Sequence, residues 1–266
     1  MRLLHIISLL FLMSSTHAQD KPLPYVHDIV TRVRANQEAL EQLREKYTYT
    51  ETIKEYERDN DGKLKELSDT TCEVRFYRGQ WIYRLRAKYG LPLSAEEQAK
   101  EGSRVAKLTA EIDAGKKGNN QQTPNIVEFL ETARFATPRR ENYRGRKVLA
   151  LDIIPDPTSK TTTLKEKFLR LLEGTIRIDE EDLQITRAEL RVTKGGSGPR
   201  PGTEWIIEQA RINNKIWLPS YREETQVNRM MMMMTRITVT KRTFSDYKLF
   251  DVDSKEGRDK TPTVPR

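Results

Sequence analysis

Apolar and polar positions alternate with period two through most of the chain from Tyr47 onward, the spacing of half-buried strands. The runs Tyr47–Arg58 (YTYTETIKEYER) and Leu64–Tyr77 flank Asp59-Asn60-Asp61-Gly62, where Gly62 supplies the positive φ of a tight hairpin. After the turn Arg78-Gly79-Gln80, the stretch Trp81–Tyr89 sets Trp81, Tyr83, Leu85 and Ala87 on one face against Arg84, Arg86 and Lys88 on the other. Together these predict a three-strand meander with one apolar side. Strand patterns resume with RRENY (139–143), the turn RGRK, VLALDIIP (148–155), TIRID (175–179), the turn Glu180-Glu181-Asp182 and LQITRAELRV (183–192). The Gly/Pro-rich loop GGSGPRPG (195–202) then leads into a long C-terminal meander of TEWIIEQARI (203–212), KIWLPSYREETQV (215–227), RMMMMMTRITVTKR (229–242) and FSDYKLFDV (244–252), with Asn213-Asn214 as a tight turn.

Four segments follow the helical period instead. His27–Lys46 places Ile29, Val30, Val33, Leu40 and Leu43 on one face, which predicts an amphipathic helix lying on the sheet. Ser94–Ala114 opens with the capping box Ser94/Glu97 and carries only the narrow stripe Val105, Leu108, Ile112. That stripe is too polar for a core element and predicts a cover on a sheet edge or a movable flap. Thr123-Pro124 starts a helix bearing Ile126, Phe129, Leu130 and Ala133. A second capping box, Thr163/Glu166, opens a helix over Leu164–Leu172 with Phe168 and Leu171 on its apolar face, closed at Gly174.

The implied architecture is one α+β domain over residues 19–253. The pattern gives a large antiparallel sheet with an N-terminal helix. The family resemblance set out below implies that it is a strongly curved half-barrel sheet, its concave face partly filled by the two middle helices and the Leu164–Leu172 helix. Residues 254–266 are polar and predict a disordered tail. Residues 1–18 predict a cleavable export signal: Arg2, the apolar run Leu3–Met13, then Thr16-His17-Ala18. That run is too short to span a bilayer, and no cysteine follows the cleavage site to be lipidated. The expected location is the periplasm, and a monomer is expected there.

Charge and composition narrow the function classes. The net charge of +8 invites a nucleic-acid reading, but Lys and Arg are interleaved with Asp and Glu, so a mixed solvated surface with no nucleic-acid partner is expected. The excess of basic residues is compatible with peripheral contact to anionic lipid headgroups. Cys72, the only cysteine, sits in TTCEVRFY in phase with Val74 and Phe76, the place of a small buried hydrophobe. His27 is the only histidine beyond the export signal, so zinc, HExxH and Cys/His chemistry lack their residues. The chain has no P-loop or dinucleotide fingerprint, and Asp59–Gly62 departs from a calcium loop because Glu66 comes too early. No catalytic residue, metal or cofactor is expected, and the protein is read as not an enzyme.

Several strings carry a family resemblance: PDP at 155–157, FLRLLEGTIRIDEEDLQITRAEL at 168–190, IWLPSYREE at 216–224 and FSDYKLF at 244–250. With the element order above, the chain resembles the LolA/LolB-like periplasmic lipoprotein carriers, a fold group that includes the regulator RseB. The resemblance implies an incomplete barrel closing around acyl chains, with helices as its lid. The expected apolar cleft is lined by Trp81, Tyr83, Leu85, Phe129, Leu130, Phe168, Leu172, Trp205 and Ile207. The Met230–Met234 run adds Met230, Met232 and Met234, either as a deformable thioether wall or as a central strand buried on both sides. The expected function is non-catalytic binding or transport of a lipid, lipoprotein or other amphiphile. The alternative is an envelope interaction protein whose half-barrel is filled by its own side chains and whose partners are other envelope proteins.

Overall fold

The computed structural model describes residues 22–116, 129–131, 133–155, 171–195, 199–213, 215–229 and 235–250. The predicted export signal, the first half of the helix predicted from Thr123, most of the helix predicted from Leu164 with Phe168, the Met230–Met234 run and residues 254–266 lie outside them. Two long helices are seen, α1 (Val26–Arg44) and α2 (Ala95–Asp113). The strands are β1 (Tyr47–Arg58), β2 (Leu64–Tyr77), β3 (Gln80–Lys88), β4 (Leu91–Pro92), β5 (Arg134–Phe135), β6 (Arg139–Tyr143) and β7 (Arg146–Ile154). They continue with β8 (Leu172–Asp179), β9 (Ile185–Val192), β10 (Glu204–Ile212), β11 (Ile216–Arg229) and β12 (Thr235–Leu249).

All twelve strands join one antiparallel sheet in the order β4-β3-β2-β1-β12-β11-β10-β9-β8-β7-β5, with β6 also on β7. The end strands do not pair with each other, so the sheet stays an open half-barrel. Its middle is the pairing of the first strand with the last, β1 with β12, from Tyr47↔Leu249 to Arg58↔Ile237. Local turn chemistry sets the hairpins. Asp59 Oδ1 accepts from the Asp61 and Lys63 amides at 3.0 and 2.8 Å, and Arg78-Gly79 takes φ of 45° and 83°, the primed turn that matches strand twist.

The inner face is the one on which α1 lies. Ile29 and Val33 pack there on Leu149, Leu151, Ile176, Ile178, Ile185 and Ala188, with Phe129 and Leu130 completing the cluster. The predicted apolar face of α1 is thus largely correct, although Leu43 is exposed. Gln37, inside the stripe, is buried too; it donates to Gln184 Oε1 at 2.8 Å and accepts from Gln209 Nε2 at 3.1 Å.

Three expectations are corrected. Leu172 does not end a helix: it opens β8, and Gly174 is a strand residue at φ 151° rather than a helix cap. A Cβ there would stand 1.8 Å from the Glu189 carbonyl oxygen, so this glycine permits the close approach of β8 to β9. Second, RMMMMMTRITVTKR and FSDYKLFDV are not two strands. Arg229 ends β11 and pairs with Thr235, and β12 runs unbroken through the second string to Leu249.

Third, α2 does not fill the inner face. It packs against β3 at the sheet edge, where β4 pairs only Ala87 and Lys88. Glu101 Oε1 accepts from the Leu85 amide at 2.7 Å and Arg104 donates to the Tyr83 carbonyl, so side chains stand in for a missing neighbour strand. Toward its C-terminus Asp113 accepts from the Tyr77 hydroxyl at 2.9 Å, and Tyr77 lies on the outer face by register. The expectation of an edge cover is met.

The capping box at Ser94 and Glu97 is present as read from the sequence. Hydrogen bonds from Lys88 and then from Ser94 hold the Glu97 carboxyl down, from its ordinary 4.5 to about 2. Because the folded pKa is depressed, this anchoring is complete above about pH 4.5 and is lost as the pH falls through 2. In an acid titration followed by circular dichroism, Glu97→Gln is expected to flatten the loss of helical signal across that window. An unchanged profile would mean that the anchor does not operate.

Candidate functional site on the inner face

Cross-strand register places every described member of the predicted strand lining on the inner face. Trp81, Tyr83 and Leu85 stand opposite Phe76, Val74 and Cys72, while Trp205, Ile207 and Leu172 stand opposite Leu190, Ala188 and Val192. Phe129 and Leu130 meet that face from above. Phe168, Met230, Met232 and Met234 lie outside the described residues.

These residues do not form one cleft. Phe129, Leu130 and Leu172 are each 2% exposed, with Trp205 and Ile207 packed against the same α1-covered cluster. That half of the inner face is filled by the protein itself. Trp81 and Leu85 belong to a second cluster with Tyr49, Cys72, Val74, Phe244 and Tyr247, while Tyr83 beside them is 38% exposed. Rings meet closely there: Phe76 and Trp81 at 5.0 Å, Tyr49 with Tyr247 at 5.2 Å and with Phe244 at 5.9 Å. This half is an aromatic floor, partly exposed. Cys72 is buried in it as expected, and burial pushes its thiol up to about 11, which keeps it un-ionised and inert.

Between the two halves lies a charged group that the sequence reading missed. Arg222 of β11 and Arg242 of β12 are directly opposed on the inner face, an arrangement of like charges that costs stability. Arg242 is held by the buried Glu51 at 2.7 Å. Arg44, at the end of α1, reaches over to stack on Trp81 at 4.8 Å and meets the exposed Glu41 at 3.5 Å. Arg222 lies 5.7 Å from the Phe244 ring and forms no ion pair among the described residues; its Nε is buried without a hydrogen-bond partner. Burial and then neighbouring Arg44 push its pKa below the ordinary guanidinium value. The Tyr49 hydroxyl is buried beside the Arg44 guanidinium, and its burial raises its pKa to about 12 against the lowering effect of that neighbour.

The outer face behaves differently. Arg177 is bound by Glu141 at 3.2 Å and Glu189 at 2.8 Å, and Arg187 by Glu189 and Glu208. Arg144 reaches Glu208 at 2.8 Å, and Arg139 takes Glu141 and Asp152. Each of these arginines has a carboxylate, which is the balanced, solvated surface expected from the interleaved charges. The acidic trio Asp179, Glu181 and Asp182 has ligand atoms within 4.8 Å of one another. It is already tied by Arg146, by Arg211 at 3.5 Å and by the Trp217 indole at 2.7 Å. Asp179 also accepts from the amides of Glu181 and Asp182, so the trio works as a locked β8–β9 turn.

Among the described residues two open depressions lie against α2. One of about 460 Å³ is lined by Arg75, Arg84, Val105, Thr109 and Asp113; the other, of about 220 Å³, is lined by Leu85, Leu93, Glu97 and Arg104. Of the predicted lining, only Leu85 borders either. No described helix is long and apolar enough to cross a membrane.

No family model matches the chain, and no curated protein matches it in sequence. Among solved structures it is similar to a DUF1329 family protein from Desulfovibrio piger, at 11% identity and a TM-score of 0.40, over 86% of this chain and 94% of that one. It is also similar to a chain of the Pseudomonas aeruginosa MucA/MucB complex, at 7% identity and a TM-score of 0.26, over 85% and 100% of the two chains. A structure of MucB with MucA(peri) gives 8% and 0.23, over 79% and 92%. Likenesses at this level concern outline alone and carry no function to this chain.

Proposed function

We propose that this protein binds an amphiphile of the cell envelope on the inner face of its half-barrel, after export to the periplasm, without catalysing a reaction. The observation that carries this reading is the aromatic floor of Trp81, Tyr83, Leu85 and Phe244, left partly exposed beside a half that α1 has filled. Partly exposed aromatic and aliphatic side chains on a concave wall are the usual lining of such a site. The chemistry of the titratable groups fits a non-catalytic role: His27 is exposed on α1, Cys72 is buried, and the acidic trio is consumed by arginines. The reading needs no metal or cofactor, and a monomer suffices for it.

Protein purified without detergent is expected to carry lipid in native mass spectrometry and to enhance the fluorescence of N-phenyl-1-naphthylamine. Trp81→Ala is expected to weaken dye binding by about tenfold, on the scale of one large aromatic contact. Absence of both lipid and dye binding would reject the reading. A second reading, that the filled half-barrel binds other envelope proteins through its surface, would then take its place. It draws on the α1 plug, which occupies half of the inner face.

A further inference from the structure

We infer that the amphiphile carries a carboxylate, and that Arg222, with Arg44 and the Tyr49 hydroxyl beside it, forms the subsite that receives this group. The inference rests on the amphiphile reading above and names the ligand's polar end.

The charge pattern leads there. Every outer-face arginine described above has a carboxylate, and Arg242 has Glu51, yet Arg222 forms no ion pair among the described residues; Glu41 and Glu51 act on it only from beyond salt-bridge distance. It is set directly across from Arg242 and close to Arg44, so three guanidiniums converge where folding alone would favour fewer. Its Nε is out of contact with water and without a hydrogen-bond partner. Leaving buried donors unsatisfied costs free energy that a bound anion would recover. Glu224, the next inward residue of β11, does not relieve Arg222, because it is held by the Trp205 indole at 3.0 Å and Gln226 at 2.8 Å. The cluster also adjoins the aromatic floor, since Arg222 packs on Phe244 and Arg44 on Trp81. A head of one charge with a planar pair of oxygens matches a guanidinium fork, and an apolar chain attached to it would run over Phe244, Trp81 and Leu85.

The test compares oleate, its neutral counterpart monoolein, dodecyl phosphate and free acetate, followed by tryptophan fluorescence and calorimetry on the detergent-free protein. Oleate is expected to bind at least about tenfold more tightly than monoolein, the size of one charge-assisted bidentate pair. In Arg222→Gln that preference is expected to fall to about one, while the unliganded protein melts at the same or a higher temperature because the opposed like charges are relieved. A variant that melts lower and keeps the preference would mark Arg222 as structural and overturn the inference. Equal binding of oleate and monoolein by the unmodified protein would also overturn it and leave the amphiphile reading standing. Acetate binding as tightly as oleate would remove the chain from the ligand, and dodecyl phosphate preferred by more than about tenfold would replace the carboxylate. Failure of every amphiphile to bind would reject the parent reading as well.

Discussion

Gly174→Ala is expected to cost at least about 3 kcal/mol, the largest effect of adding a Cβ at any of the described glycines. The added Cβ has nowhere to go: it would meet Glu189 O at 1.8 Å and Glu189 C at 2.8 Å, both backbone atoms of the paired strand β9. Relief requires β8 to move off β9, which opens the register beside Leu190 and disturbs the layer of Leu172, Ile176 and Ala188. The backbone conformation adds its own penalty, since φ of 151° suits glycine and strains an L-residue. At roughly 2–4 °C per kcal/mol for a domain of this size, a fall in melting temperature of about 6–12 °C or more is predicted. A variant melting within about 2 °C of the parent would show that the β8–β9 approach is looser than described.

Val33→Asp is expected to have a comparable effect, about 4 kcal/mol, with a functional signature besides. Val33 is fully buried between α1 and the β7–β9 surface, where an added carboxylate finds no cation in the apolar cluster around it. Displacing α1 uncovers the second half of the inner face, so N-phenyl-1-naphthylamine fluorescence should rise above that of the parent at temperatures where the sheet still persists. Should the charged variant not fold, Val33→Ala gives the milder case, about 2 kcal/mol with a smaller gain in dye signal. Loss of stability without any gain in dye binding would mean that α1 does not plug a latent apolar surface.

Much of the sheet was legible because its turns are spelled out locally. β1, β2 and β6 begin and end where the alternation and the Asp-Gly and Arg-Gly turns put them. The inward set Trp81, Tyr83, Leu85, Trp205 and Ile207 was legible for the same reason, because each lies on a regular stretch. Bulges erased the rest. Ser220 is an extra residue of β11 opposite the Glu208–Gln209 step. Without it, simple alternation from Trp217 through Pro219 would turn Tyr221 inward and Arg222 outward. One residue of slip therefore hid the arginine cluster. A similar irregularity at Thr71–Cys72 pairs Ala87 with Thr71, taking it off the face of Leu85. Helix placement was only partly legible for another reason: an apolar stripe tells that a helix docks but not against which surface. The stripe on α1 belonged to the true plug, whereas the narrow stripe on α2 belonged to an edge cap.

The long pairing of β1 with β12 has a consequence for how the protein is made. Partners such as Glu51 and Phe244 are nearly two hundred residues apart, so the keystone of the sheet arrives last. A nascent chain can form the β1–β3 and β7–β9 hairpins early, but these halves stay unjoined until the final strand is delivered. For the export proposed above, in which the chain would thread a translocon while still extended, such late locking would be an advantage. It also means that a chain cut after Arg229 and ahead of Thr235 would leave two bare flanks, on β1 and on β11, open to pairing with other chains.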